Sequence, residues 1–244
     1  MKQYEAVIQT IESLGGIATL GQINQDIFKI EGCEWKTKTP YASIRRIVQT
    51  DKNIYKIKPG LYALEKHRTK FNKQGIFAED SDKGSQKTAE EFNHSYYQGL
   101  ILEIGNMKGM DTYIPAQDKN KRFLNKPLKE ISSIDSIYEF TYQPLVKRAK
   151  TIDVIWFNDR KFPSSIFEIE HSTNMVNSLL KFNDFRDFYT KFYIVSFRNR
   201  KGEFIDKLKY SSFKGMEERI EFLDYDSVSS LHTKMSELHA LRQL

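Results

Sequence analysis

The chain has 244 residues, a length that suits one or two domains of about 150 residues each. Hydrophobic residues make up 39% of it, charged residues 29%, and the net charge is +6, so there is enough apolar material for a folded core and wholesale disorder is excluded. The single cysteine, Cys33, excludes an intramolecular disulfide and a zinc finger, and the lack of a long apolar run or a signal peptide predicts a soluble protein of a reducing compartment.

The positive charge is concentrated near the N-terminus. Residues 1–70 hold twelve Lys and Arg residues against seven Asp and Glu residues, which accounts for +5 of the total of +6. A basic segment joined to a nearly neutral larger one fits a nucleic-acid anchor that accompanies a second function. On this observation alone, a solvated basic surface without a specific partner explains the charge equally well.

Residues 1–66 have the pattern of three helices followed by a hairpin. The predicted helices cover 4–14, 20–30 and 40–50, and the predicted strands cover 54–57 and 61–64. Thr39 and Pro40 are suited to the start of the third helix, and Lys58-Pro59-Gly60 is suited to the turn between the strands. This order predicts a winged helix-turn-helix domain.

Residues 67–92 are polar and rich in Gly, Ser and mixed charges, and we expect a linker there. The remainder, 93–244, has the pattern of a mixed α/β domain. Helices are predicted over 93–110, 173–189, 204–213 and 226–241, strands over 137–142, 151–157, 165–170, 192–197 and 220–223, a marginal strand over 111–116, and a lysine-rich loop over 117–130. The main elements follow in the order α, β-β-β, α, β, which predicts a mixed central sheet with flanking helices.

Three acidic residues interrupt two strongly apolar strands of this domain. Asp153 lies in TIDVIWF, and Glu168 and Glu170 lie in SIFEIEHS, where alternation directs both glutamates to one face. If the two strands pair, Asp153 reaches that face as well, and of three poorly solvated carboxylates either some stay protonated or a cation lies among them. Oxygen ligands without a His or Cys cluster favour Mg²⁺ or Mn²⁺ as that cation. The alternative is a solvated strand face on which Asp153 pairs with a nearby basic residue, such as Lys147, Arg148 or Lys150.

Asp153, followed after 15 positions by Glu168-Ile169-Glu170, resembles the signature of the PD-(D/E)XK nuclease superfamily. The resemblance covers about residues 93–225 and implies its αβββαβ core. Ile152 replaces the usual proline, and Glu170 replaces the usual lysine, a Glu-X-Glu form that is similar to the one in some restriction enzymes. The resemblance thus points to a restriction-type endonuclease.

That resemblance implies a site and a mechanism. Asp153 and Glu168, with the carbonyl of Ile169, would hold Mg²⁺, for which Mn²⁺ could substitute, and Glu170 would orient or deprotonate the attacking water or hold a second ion. Glu103, on the first core helix, would supplement the site, although a solvated helix residue explains it equally well. By analogy, double-strand cleavage implies a homodimer, in the cytoplasm of a prokaryotic cell.

Residues 1–66 are similar to the HARE-HTH winged-helix domain, which occurs fused to restriction endonucleases. The similarity rests on the first helix ending in LGG, the helix 22–30, the stretch WKTKTP (35–40) and the hairpin YKIKPGLYAL (55–64). We expect the exposed face of the third helix to contact base edges and nearby lysines to contact phosphates. The expected DNA-binding residues are Lys36, Lys38, Tyr41, Ser43, Arg45, Arg46, Gln49, Lys56 and Lys58. A protein-interaction role for this domain is the alternative.

The sequence therefore predicts a Mg²⁺-dependent, sequence-specific endonuclease that acts on double-stranded DNA. Two alternatives remain: a nuclease that requires modified DNA, and a DNA-binding regulator with an inactive nuclease fold, which Glu170 in the lysine position keeps open. Lys181, about three turns into the following helix, is interpreted as a surface lysine or a phosphate contact. His171 is interpreted as structural, since alternation directs it away from Glu170.

Overall fold

The computed structural model describes residues 1–78 and 86–242, with the side chains of 86–89 outside that description. The chain divides into two compact units, an N-terminal unit (Met1–Phe92 together with Ser229–Leu244) and a central unit (Asn93–Val228). The C-terminal residues thus cluster with the N-terminal ones rather than with the segment that precedes them. Among the described residues, no helix combines the length and apolar character needed to cross a bilayer.

The N-terminal unit contains helices packed on a small antiparallel sheet. Its elements are α1 (Gln3–Ser13), β1 (Ile17–Thr19), α2 (Leu20–Asp26), α3 (Pro40–Thr50), β2 (Ile54–Lys58), β3 (Leu61–Leu64) and α4 (Arg68–Lys73), and the sheet order is β1-β3-β2. The hydroxyl of Thr19 caps α2 by accepting from the backbone N–H of Gln22, and Pro40 occupies the start of α3. The predicted helices and hairpin are therefore present, with β1 as an added strand.

Part of the expected linker is folded. α4 lies within residues 67–92 and buries Phe71, and Ile76 is buried shortly after it. These two buried apolar side chains anchor an otherwise polar stretch. Of the predicted linker, residues 79–85 lie outside the described residues.

The central unit is built on a five-stranded mixed sheet. Its elements are α5 (Gln86–Met107, which begins in the N-terminal unit), β4 (Asp111–Tyr113), β5 (Arg122–Phe123), β6 (Lys126–Pro127), α6 (Gln143–Ala149), β7 (Val154–Phe157), β8 (Pro163–Glu170), α7 (Met175–Asp184), β9 (Lys191–Ser196), α8 (Lys201–Leu208), β10 (Ile220–Asp224) and α9 (Tyr225–Leu241, which ends in the N-terminal unit). The strand order is β10-β9-β8-β7-β4. Strands β4, β7 and β8 are antiparallel, whereas β8, β9 and β10 are parallel.

The predicted strand over 137–142 is wrong. Its aromatic residues pack on the core from an irregular segment: the ring of Tyr138 lies edge-on to Phe157, and its hydroxyl donates to Asp111 at 2.7 Å. The alternation of apolar and polar residues predicted a strand, but here it places aromatic side chains on the core from an irregular segment. The sheet position next to β7 is occupied by β4. The marginal strand over 111–116 is thus part of the sheet, and α6 was not predicted.

The remaining differences are smaller. The predicted loop over 117–130 includes the short β5–β6 hairpin, α7 ends five residues before the predicted 189, and α8 lies earlier than the predicted 204–213. Apolar side chains from β7, β8 and β9 pack with α7 in one core that includes Phe157, Ile166, Leu179 and Phe182. This core fixes α7 against β8, and so determines which α7 side chains face the acidic residues.

Candidate functional site

The pairing of β7 with β8 brings Asp153 level with Glu168. The register joins Val154 to Phe167 and Ile155 to Ile166, so Asp153, one residue before β7, falls opposite Glu168. Cross-strand partners point to the same face of a sheet. The predicted meeting of Asp153 with the two glutamates therefore has a geometric basis, and we call Asp153, Glu168 and Glu170 the acidic cluster.

Asp153 is held from two sides. Its Oδ2 accepts a hydrogen bond from the backbone N–H of Ile169 at 2.7 Å, and its Oδ1 lies 3.5 Å from Nε2 of His94. Burial raises the pKa of the Asp153 carboxyl, but the hydrogen bond and charge of His94, the Ile169 N–H and the charge of Lys181 outweigh burial and leave it below its usual range. Asp153 therefore carries a negative charge inside the protein.

Glu168 is buried against α7. Nζ of Lys181 lies 2.9 Å from its Oε1 and 2.8 Å from its Oε2, and the hydroxyl of Ser178 lies 3.1 Å from Oε2. Burial and the charge of Asp153 raise the pKa of Glu168 to about 8, against the opposing effect of Lys181 and Ser178. Without a bound cation, the cluster therefore disfavours a second negative charge beside Asp153.

Glu170 lies on the same face and shares a partner with Glu168. The Ser178 hydroxyl also contacts Oε1 of Glu170, and the Thr173 hydroxyl contacts its Oε2. Burial raises the pKa of Glu170, and the charge of Asp153 adds to this, while Ser178 opposes it. All three acidic groups are thus electrostatically linked.

A second group of polar side chains adjoins Asp153. His94, on α5, also lies 3.9 Å from Oδ2 of Asp118, and Asp118 accepts a hydrogen bond from the amide nitrogen of Gln98 at 2.8 Å and pairs with Lys121 at 2.6 Å. Burial lowers the pKa of His94, but its contacts with Asp153 and Asp118 outweigh burial and leave it above its ordinary value. We call His94, Asp118 and Asp153 the histidine triangle.

Glu103 lies away from these groups along α5. It follows His94 by nine residues, which is about 13 Å along the helix axis and two and a half turns, so it projects from the opposite side of α5. The helix residue beside Asp153 is thus His94. The expected role of Glu103 stays a prediction.

The loop after β8 is fixed by Arg200. Its guanidinium donates to the carbonyl of His171 at 2.8 Å and to that of Thr173 at 2.6 Å. Nδ1 of His171 lies 2.7 Å from the hydroxyl oxygen of Tyr225, and the two groups share a hydrogen bond. These contacts hold Thr173 where it meets Glu170.

The residues expected to bind DNA lie mostly on the surface of the N-terminal unit. Arg46 and Gln49 are exposed on α3, Ser43 is half-buried, and Lys36, Lys38 and Lys56 are exposed, with Lys58 half-buried. Two of the expected residues, Arg45 and Tyr41, are in contact with other side chains of this unit. Arg45 lies 3.3 Å from Glu237 of α9, and the ring of Tyr41 packs edge-on to Phe28 with its hydroxyl oxygen buried.

Comparison with known proteins places this arrangement in a family. The family model of the C-terminal domain of the type II restriction enzyme NmeDI matches residues 76–243, more than half of the chain. The chain belongs to this family. The matched residues include the acidic cluster and the histidine triangle, and they begin after the three-stranded sheet of the N-terminal unit.

A curated relative is the type II restriction enzyme NmeDI of Neisseria meningitidis serogroup C. It is 23% identical over 150 residues, which represent 57% of this chain and 42% of the relative. The chain thus spans less than half the length of that relative. No solved structure gives a significant match.

In this member of the NmeDI C-terminal domain family, the donor set of the acidic cluster fits a hard divalent cation. The three carboxylates lie on one face of the sheet, and the ammonium of Lys181 lies against Glu168 and offsets one negative charge. Carboxylate oxygens are the ligands that Mg²⁺ and Mn²⁺ prefer. A divalent ion would offset the remaining charge that raises the pKa of Glu168 and Glu170.

Sequence reasoning missed the side chains that helices bring to the site. Ser178 and Lys181 are three residues apart on α7, and His94 and Gln98 are four apart on α5, so each pair lies on one helix face. This spacing shows that each pair shares a face but not which face meets the sheet, and Asp118, in a loop, offered no signal. Lys181, interpreted as a surface residue or phosphate contact, is half-buried and contacts Glu168 and the carbonyl of Thr151.

Proposed function

We propose that this chain is a Mg²⁺-dependent endonuclease that hydrolyses phosphodiester bonds of double-stranded DNA at specific sequences. The observation that carries the proposal is the placement of Asp153, Glu168 and Glu170 on one sheet face, with Lys181 against Glu168, in a chain of a restriction-enzyme family. The order α5, β4, β7, β8, α7, β9 supports a PD-(D/E)XK core, with β4 as its first strand.

Asp153, Glu168 and the carbonyl of Ile169 would hold the metal ion. When bound, Mg²⁺ supplies a Lewis acid that stabilises charge on the phosphate and lowers the pKa of a water. Asp153 is suited to this role because it is already ionised and because the Ile169 N–H fixes its orientation.

Lys181 and Glu170 have separate roles in this proposal. Lys181 keeps Glu168 in position and adds a positive charge where an anionic phosphate must approach two further carboxylates. Glu170, held by Ser178 and Thr173, orients the attacking water. Because α7 supplies a lysine, Lys181, beside the cluster, the alternative of an inactive nuclease fold is weakened. That alternative rested on the absence of a lysine at position 170.

The N-terminal unit would recognise the DNA as a winged helix. Three helices and the β2–β3 hairpin occur in the order of that fold, and α3 exposes Arg46 and Gln49, whose side chains suit paired hydrogen bonds with base edges. Exposed lysines near the start of α3 and in the hairpin would contact phosphates. Because one site per chain cuts one strand, we expect two copies to act together in double-strand cleavage.

Incubation with DNA tests the proposal. Purified protein, MgCl₂ and a large DNA of known sequence, in unmodified and methylated forms, are expected to yield fragments whose sequenced ends share a motif. EDTA is expected to stop the reaction. Asp153→Asn and Glu168→Gln are each expected to lower the cleavage rate by at least about 100-fold while DNA binding persists, because they remove transition-state stabilisation.

Asp206→Asn is the matched control, since Asp206 is an exposed carboxylate of α8 paired with Lys209. It is expected to cut like the unaltered protein. Cleavage that survives Asp153→Asn would refute the assigned site. DNA binding without cleavage in either Mg²⁺ or Mn²⁺ would favour the inactive regulator, and cleavage of methylated DNA alone would favour the modification-dependent nuclease.

A further inference from the structure

The histidine triangle is arranged as a ligand set of its own. Its three potential ligand atoms, one from each residue, all lie within 4.8 Å of one another. Ligands of one ion at about 2.0–2.2 Å are separated by at most about twice that length, so a small contraction would let the three atoms share an ion.

The two oxygens of Asp153 face different neighbours. Oδ2 faces the backbone of β8 through the Ile169 N–H, whereas Oδ1 faces His94. A carboxylate whose two oxygens face different sides can bridge two adjacent cations, one bound by each oxygen. Asp153 can therefore belong to the acidic cluster and to the histidine triangle together.

Gln98 supplies an independent sign of a missing ligand. Its side chain is fully buried, and its amide nitrogen donates to Asp118 and to the carbonyl of Asp153. Within the described part of the chain, its Oε1 is a buried acceptor without a hydrogen-bond partner. Buried acceptors are rarely left without a donor, and a water bound to a cation would provide one.

The donor chemistry of the triangle differs from that of the acidic cluster. An imidazole nitrogen with two carboxylates suits Mn²⁺ and the later first-row ions, whereas Mg²⁺ prefers oxygen ligands. Lys121 now balances the charge of Asp118, but its side chain is 42% exposed, so it can move into solvent when a cation replaces it.

We propose that His94, Asp118 and Asp153 form a second, imidazole-containing site for a transition-metal ion of the Mn²⁺ class, next to the acidic cluster and sharing Asp153 with it. This inference rests on the proposed function through the shared aspartate. It adds a metal ligand from α5 and one from the loop after β4. Gln98 accepts a hydrogen bond from a water on that ion.

Electron paramagnetic resonance of the full chain with MnCl₂ alone tests the proposal without measuring cleavage. Pulsed spectra of bound Mn²⁺ are expected to show modulation from a coordinated imidazole nitrogen, and growth with ¹⁵N-labelled histidine is expected to change its frequency. His94→Ala and His94→Asn are expected to remove the modulation and to weaken Mn²⁺ binding by at least about tenfold. The labelled unaltered protein gives a result even if neither variant folds.

His171→Phe is the matched control, because the ring of His171 lies 6.2 Å from that of His94 and is the neighbouring imidazole. It is expected to keep the nitrogen modulation. Loss of modulation in His171→Phe and not in His94→Ala would overturn the assignment of His94.

The outcomes also separate this inference from the proposed function. Bound Mn²⁺ without any nitrogen modulation would overturn the second site and leave a carboxylate-only ion at the acidic cluster. A chain that binds no Mn²⁺, with or without an oligonucleotide, would overturn the second site and the metal dependence of the proposed function together.

Discussion

The acidic cluster and the exposed face of α3 use charge in opposite ways. The cluster buries Glu168 and Glu170 on a central strand, where burial and the charge of Asp153 raise the pKa of both. α3 instead presents Arg46 in solvent. The comparison teaches that the ionisation of a buried acidic group depends on the few groups in contact with it, whereas an exposed charged side chain is available to contact DNA.

The two regions therefore differ in how substitutions should act. A change beside the cluster alters the ionisation and position of groups already in contact, so its effect on the reaction should be large. A change on α3 removes one contact to DNA, so its effect should be moderate and confined to binding.

The largest effect is expected from Lys181→Met. Removing the ammonium leaves Glu168 without its cation and the phosphate without a neighbouring positive charge, so the rate of DNA cleavage should fall by about 100-fold or more. Lys181→Arg should retain part of the cleavage rate. The control variant Lys209→Met, on the exposed surface, should cleave at the full rate of the unaltered protein. Single-turnover cleavage with parallel thermal unfolding measures this, and an unchanged rate for Lys181→Met would contradict the role of Lys181.

A moderate effect is expected from Arg46→Ala. If Arg46 contacts a base, its loss should weaken specific DNA binding by about 1–3 kcal/mol, with no change in binding to unrelated DNA. Arg45→Ala should weaken binding less, because Arg45 is already paired with Glu237. Fluorescence anisotropy measures both. Unchanged specificity in both would move recognition elsewhere, for instance to Lys119, Lys121, Arg122 and Lys126 in the loop 117–130.

The smallest effect is expected from Lys56→Gln. A lysine that contacts phosphate contributes to affinity for any sequence through counterion release, so the slope of log K against log salt concentration should decrease in magnitude by about 1. Specificity should not change. A salt titration of binding measures the slope, and a shift in the preferred sequence would show that Lys56 reads bases instead.

Much of the fold could be predicted because local signals were strong. The apolar periodicity of α1, the Pro40 start of α3 and the β2–β3 hairpin depend on residues close in sequence, and each is present. The strand over 137–142 failed for the opposite reason. Aromatic alternation indicates burial on one side, but a strand also needs a partner edge, and β4 had already taken it.

The site was predictable only where strands supply it. Period-two alternation placed Glu168 and Glu170 on one face, and the pairing of β7 with β8 put Asp153 opposite Glu168. Lys181 and His94 come from helices whose orientation depends on the core between α7 and the sheet and on the packing of α5. That tertiary information is absent from the spacing of the residues themselves.

The C-terminal half of α9 has a consequence for how the protein is made. A Cβ at Gly21 of α2 would lie 2.4 Å from Oγ of Ser236, so α2 and α9 interlock closely within the N-terminal unit. The contacts between α2 and α9 can therefore form only after residues from 229 onward have left the ribosome, whereas all residues of the central unit emerge earlier. The unit that carries α3 thus receives its last segment after the whole carboxylate-bearing unit has been synthesised.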